Sequence, residues 1–355
     1  LKALDRALAL SQGEFSLVLV HCNYKRLRDR VLRQLRELSA HRYEIRELEL
    51  PSSVTTLYTT IQTYRHSTEE AGQEEDIGTH KSEKERISST HVSPSPHLPV
   101  SPSSHPALIV SGLESVVALD DLLASTNQVR DEFRKRLPFP VVVWVNDEVR
   151  QKLLHFAPDF ASWAATPIKF EISTPELIDF LRQKANSLFK TVLSGGTGRY
   201  APWRVCTHHS TLNLATDCRS RSELDSALRD LQSRGQAIEL ELDASLQFVF
   251  GQYDYASDYI DSAIAHYQQS LWFWRAINNL ERQGVLLFYL GLCYCRLADL
   301  HRSQRRRYWE EAWPYLQQCV EVFTKAGRPE LVAQFITQLV EVLQRLEAWG
   351  TLQSA

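Results

Sequence analysis

Three short polar segments carry the residue types that nucleotide chemistry would use. In His21-Cys22-Asn23-Tyr24-Lys25-Arg26, Lys25 and Arg26 open an amphipathic run just behind Asn23. A helix N-terminus attracts anions through its unpaired N–H groups, so these two cations are placed to hold a phosphate. In Ser111-Gly112-Leu113-Glu114, Glu114 is a carboxylate that could bind a cation such as magnesium. In Asn146-Asp147 the amide is placed to sense a terminal phosphate, although the same pair is also an ordinary strand stop and helix cap, and the cap is the favoured reading. The phosphate loop itself is missing. The turn from His21 to Arg26 has no glycine, GxxxxGK[ST] occurs nowhere, and the position before Glu114 that would carry a magnesium-holding Asp holds Leu113.

Other constellations carry less. Lys25, Arg26, Arg28, Arg30, Arg33 and Arg36 stand against Asp29 alone, which suits an RNA backbone or a solvated face opposite Leu27, Val31 and Leu35, pairing with Glu37 and Glu47. The solvated face is favoured. Cys206, His208, His209 and Cys218 are zinc-type ligands, but their spacing matches no closed structural pattern, and no metal is expected. Ser194-Gly-Gly-Thr-Gly198 follows a helical pattern and reads as a helix stop. No GxSxG, HExxH or Ser/His/Asp order is found, so hydrolysis has no sequence support.

The elements that must position these residues alternate. Phe15–Val20, Tyr43–Leu50, Ala107–Val110, Phe139–Val145 and Ile168–Ile172 read as strands, separated by helical patterns that include one from about Ser115 to Lys135. This predicts a three-layer α/β domain with a mostly parallel five-stranded sheet over residues 1–172, with Val141–Val145 central. Residues from about 65 to 105 change to Ser, Thr, Glu, Lys, Pro and His, and are expected to be a disordered insertion between the second and third strand units. Residues 173–240 are expected to be a helical connector.

Residues 241–355 lose the strand pattern and predict an all-α array. Gly251 and Leu290-Gly291-x-x-Tyr294 carry the Gly position of a tetratricopeptide first helix, 40 residues apart; Ala263 with Tyr267, and Ala312 with Leu316, mark the partner helices, 49 apart. The usual period is about 34, so the excess is assigned to longer helices or loops, one of them around Arg302–Arg307. Stacked pairs of this kind present a surface to a protein or peptide. Tyr253, Tyr255, Trp272, Trp274, Arg305, Arg306 and Arg307 are the candidate exposed contacts, because aromatics and Arg dominate hot spots, although core filling is the favoured reading for most of the aromatics.

Composition bounds the rest. The 355 residues are 43% hydrophobic, with 40 Lys+Arg against 43 Asp+Glu, a net charge of −3. That is a folded chain with no global positive field, which disfavours nucleic acid as the partner. No apolar run approaches the roughly 20 residues of a membrane span, Lys2, Asp5 and Arg6 interrupt the first ten residues, and the six cysteines are scattered; a cytoplasmic protein without membrane insertion is expected.

Taken together, Val18–Arg28, Phe139–Asn146 running to Ala157–Trp163, and Ala263-x-x-x-Tyr267-Gln-Gln-Ser270 resemble bacterial, especially cyanobacterial, tetratricopeptide proteins whose N-terminal part is similar to the P-loop module of STAND-type signalling ATPases. The resemblance implies a degenerate P-loop-like domain, with Asn23, Lys25, Arg26, Glu114, Asn146 and Asp147 around the former nucleotide site. It implies a non-catalytic scaffold or adaptor that needs no cofactor. The alternatives are an atypical switch using ATP or ADP with magnesium and, more weakly, an RNA-binding protein using helix 25–36.

Overall fold

The computed structural model describes residues 1–39, 42–67, 106–194 and 218–353. The chain divides into two compact units, Leu1–Ile172 and Ser173–Ala355. Most of the expected insertion, residues 68–105, lies outside the described residues, as do Gly195–Gly198 and the Cys206, His208 and His209 group.

The first unit runs α1 (Lys2–Leu10), β1 (Ser16–His21), α2 (Lys25–Ser39), β2 (Glu44–Glu49), α3 (57–67), β3 (Pro106–Ser111), a 3₁₀ turn at Leu113–Ser115, α4 (Leu119–Gln128), α5 (Arg130–Arg136), β4 (Pro140–Val145), α6 (Asp147–Phe156), α7 (Pro158–Ser162) and β5 (Ile168–Lys169). The five strands are parallel in the order β2-β3-β4-β1-β5. β4 is buried along its whole length and is the middle strand, as a run of Val141-Val-Val-Trp-Val145 requires.

Alternate strand residues build the two faces. Leu17, Leu19, Leu108, Val110, Val141, Val143 and Val145 share one core with α3, α4, α6 and α7. Val18, Val20, Ile109, Val142 and Trp144, of the other parity, are also buried. The crossover from β1 to β2 runs opposite to all the others, so the right-handed rule sends α2 to that second face, with Leu27, Val31 and Leu35 turned inward.

Two expected elements are shorter. The strand expected over Ile168–Ile172 holds only Ile168–Lys169, plus one further bond from Phe170 N to His21 O at 2.9 Å. Ser173 and Glu176 then exchange a capping box, Ser173 Oγ donating to Glu176 Oε2 at 3.0 Å, which turns the chain into the next helix. The helix expected from Ser115 to Lys135 breaks at Val129. Ser125 and Thr126 donate their hydroxyls back to Leu122 O at 2.9 and 2.7 Å, a bond that bends helices, and Asn127 Oδ1 accepts from Phe160 N at 3.0 Å.

The second unit is helical: α8 (Thr174–Ser194), α9 (Cys218–Ser233), α10 (Leu240–Ala256), α11 (Ile260–Ala276), α12 (Leu280–Leu300), α13 (Arg305–Lys325) and α14 (Pro329–Gln353). The last five form successive antiparallel hairpins. A Cβ on Gly251 would come within 2.4 Å of the Tyr267 ring, and one on Gly291 within 2.6 Å of Leu316, so each glycine is a seat for a large side chain of the next helix. Gly284 seats Phe323 in the same way. Asp258, Asn278 and Gly327 take φ of 60°, 55° and 69° in three-residue turns, each closed by a bond from the next residue's N–H to the carbonyl five back. The excess over the usual repeat therefore goes mostly into helix length, since α10 and α11 have 17 residues each and α12 has 21. α12 is long and apolar enough to cross a membrane, but 72% of its apolar window is buried inside the unit, where it is the central helix.

Candidate functional site

In an open parallel sheet, ligands bind beyond the carboxyl ends of strands whose connections leave in opposite directions. Here those are the neighbours β1 and β4, in register from Ser16↔Pro140 to His21↔Val145. The three polar segments singled out above meet at this edge.

Cys22, Asn23 and Tyr24 alone join β1 to α2. Tyr24 is buried, so the turn is short and filled. Asn23 clamps the start of α6 from across the sheet: its Nδ2 donates to Asp147 Oδ2 at 2.8 Å, and its Oδ1 accepts from Asp147 N at 3.0 Å. Asn146 Oδ1 accepts from Val149 N at 2.8 Å and so caps α6. His21 Nε2 lies 2.9 Å from Asp147 Oδ1 but out of line for a hydrogen bond, so that contact is an ion pair only when the imidazole is protonated.

Gly112, at φ 92°, turns the chain after β3. A Cβ there would sit 2.9 Å from Leu50 O, so only glycine fits, and Leu113 goes into the core while Glu114 faces α2. Its partner is Arg28. The Arg28 side chain is 9% exposed, with Nη1 3.6 Å from Glu114 Oε1 and Nε 3.5 Å from Asp29 Oδ1. Both distances are long for hydrogen bonds, and the interaction is chiefly electrostatic. Lys25 and Arg26 are exposed on the first turn of α2.

The expectation of a uniformly solvated basic face is corrected at Arg28, which is buried, while Arg36 pairs with Glu47 at 2.9 Å as expected. The burial was detectable. Tyr24, Leu27, Arg28, Val31 and Leu35 follow one helical stripe, and Arg28 occupies an apolar position of it. His21 ends β1, where a polar side chain reads as a strand stop.

In the helical unit, two of the four candidate aromatics are core filling, the reading favoured for most of them. Trp274 is fully buried against Phe189, and Tyr253 is buried with the Arg221 guanidinium 5.9 Å from its ring. Tyr255 is half-buried, and Trp272 is 73% exposed. Arg305 Nε donates to Ala298 O at 3.1 Å, while Arg306 and Arg307 pair with Glu310 and Glu311 at 2.9 and 3.0 Å along their own helix.

One polar cluster was missed. Asp254 is buried between Arg221, Ser262 and His266. Beside it Asp225 is exposed as a residue, yet desolvation of its carboxyl by the surrounding chain pushes its pKa up; Arg221 and Arg229 oppose that shift and Asp254 adds to it. Among the described residues no group of three or more His, Cys, Asp or Glu is gathered to hold a metal ion.

No family model matches the chain, nor does any curated protein or solved structure. By its own geometry the chain is an α/β unit with a parallel five-stranded sheet followed by an all-α helical array.

Proposed function

We propose that the chain is a non-catalytic adaptor that binds a protein or peptide partner through its helical array, while the α/β unit serves as a scaffold with a degenerate nucleotide-like site. The observation that carries this reading is the Asn23–Asp147 clamp. It occupies the strand edge where a phosphate would be received, in a three-residue turn with no glycine to let backbone N–H groups approach an anion. Glu114 faces a buried arginine there. The glycine seats of the array favour protein contact, because stacked helical pairs offer extended surfaces. Cys22, Cys293, Cys295 and Cys319 are free thiols, which suits a reducing cytoplasm.

The test is titration with ATP, ADP, GTP and GDP, with and without magnesium, following the thermal midpoint and heat release. No response is expected up to millimolar ligand. Stabilisation that disappears in Lys25→Ala or Glu114→Ala would replace the adaptor with a nucleotide-dependent switch, since a ligand that binds only the folded state raises its stability.

A further inference from the structure

Helix α8 does not lie beside the array as one more hairpin. It meets α10 from Glu239 to Phe248, and the first two turns of α12 and α14. Arg182 Nη2 donates to Glu239 Oε2 at 3.1 Å at the start of α10, and Phe189 stacks on Phe248 with centroids 4.2 Å apart. On α12, Arg282 Nη2 donates to Asn186 Oδ1 at 3.0 Å; on α14, Gln334 Nε2 donates to Val192 O at 3.5 Å. The buried stripe Leu177, Leu181, Ala185, Leu188 and Val192 faces inward, which is the mode of an amphipathic helix seated in a groove. Trp274, at the floor, touches Phe189.

The groove is not fully satisfied by this occupant. The Arg282 guanidinium lies 4.0 Å from the Trp274 ring and 4.8 Å from the Phe189 ring, and Nη1 donates to Ser245 Oγ at 2.9 Å. Among the described residues its carboxylate neighbour is Glu241, 4.0 Å away and 64% exposed. Burial accordingly pulls the Arg282 pKa down, opposed by Glu241. A mostly desolvated cation, its side chain 18% exposed, is costly when its one carboxylate neighbour is solvated and distant, and here α8 meets it with a neutral amide.

We propose that the groove beneath α8 is the array's partner site, that it recognises an amphipathic helix carrying a carboxylate opposite Arg282, and that α8, with Asn186 there, is the chain's own weaker ligand. This rests on the reading of the array as protein-binding. Tethering gives α8 an effective concentration of order millimolar, so a partner must gain affinity elsewhere. A charge-assisted bond in place of the neutral one supplies about tenfold.

The first experiment is a double-mutant cycle in the full chain. Asn186→Asp is expected to raise the thermal midpoint in the parent and to lose that gain in Arg282→Gln; equal effects in both backgrounds overturn the recognition role. The second adds a labelled peptide of residues 174–194 to full chain carrying Phe189→Ala, which weakens the cis contact. The peptide with Asn186→Asp is expected to bind about tenfold tighter than the native peptide, and both more weakly to the parent chain. Equal affinities, or no binding to a Phe189→Ala chain that still melts cooperatively, overturn the exchange. Dimerisation of that chain through traded α8 helices would instead assign the groove to a second copy. Should Phe189→Ala not fold, the cycle decides alone. Partner capture that persists when both experiments fail would leave the adaptor reading intact and move its surface elsewhere.

Discussion

The Arg28–Glu114 pair and the Asn23–Asp147 clamp hold the strand edge by different physics, and substitution separates them. Removing one member of a buried ion pair strands the other, so Arg28→Ala is expected to cost about 3–5 kcal/mol, whereas Arg28→Met, which keeps the volume, costs less. Asn23→Ala removes two hydrogen bonds at a half-buried site, and about 1–3 kcal/mol is expected. Urea midpoints of the three variants check the ranking, which fails if Arg28→Met is the worst. At Gly291, alanine would gain roughly 1 kcal/mol of helix propensity if the position were open, but the Leu316 contact at 2.6 Å makes a net loss of about 1–3 kcal/mol the expectation. Leu316→Ala in that background should recover part of it. Asp225 supplies a pH signature. Its folded pKa is raised above the ordinary 3.8, so its contribution is fully present below that value and is lost as pH rises through the folded pKa. Asp225→Asn is therefore expected to raise the thermal midpoint at pH 7 and to lose that advantage near pH 3; an advantage independent of pH would refute the burial account.

At the scale of elements, local rules decide where helices start and bend, and these rules were largely readable. The near-continuous apolar strands β3 and β4 announce a sheet covered on both faces, and the glycine seats at 251 and 291 announce helix pairs. The expectation was less accurate where two local rules compete, as at Ser173, where a capping box ends β5 early. Ser173→Ala is expected to cost about 1 kcal/mol, seen as faster amide exchange in the first turn of α8. Burial set by distant chain was readable in kind but not in partner. Trp274 suits core filling by its residue type, but Phe189, which covers it, lies on α8, 85 residues earlier. Arg28 is the opposite case: its stripe position was visible, but its charge suggested solvent.

At the scale of the whole molecule, charge sets what can approach. With 40 basic against 43 acidic residues, only a local stripe could draw a polyanion, and the stripe on α2 is depleted, since Arg28 is buried and Arg36 is paired with Glu47. Titration with a poly-uridine probe at 50 and 200 mM salt is expected to give no binding at micromolar protein. Affinity that falls steeply with salt and is removed by Lys25→Ala with Arg26→Ala would restore the RNA reading.

The seats at Gly284 and Gly291 are seven residues apart, as are Leu316 and Phe323, which fill them. Two α-helical turns take about 7.2 residues, so both knobs meet both seats in a single alignment. If α13 slid by two turns, only one knob could be seated, leaving the other against backbone and one seat empty. The hairpin thus carries its own vernier. A hairpin displaced along its axis by those two turns would press a large side chain against a position with no glycine to receive it.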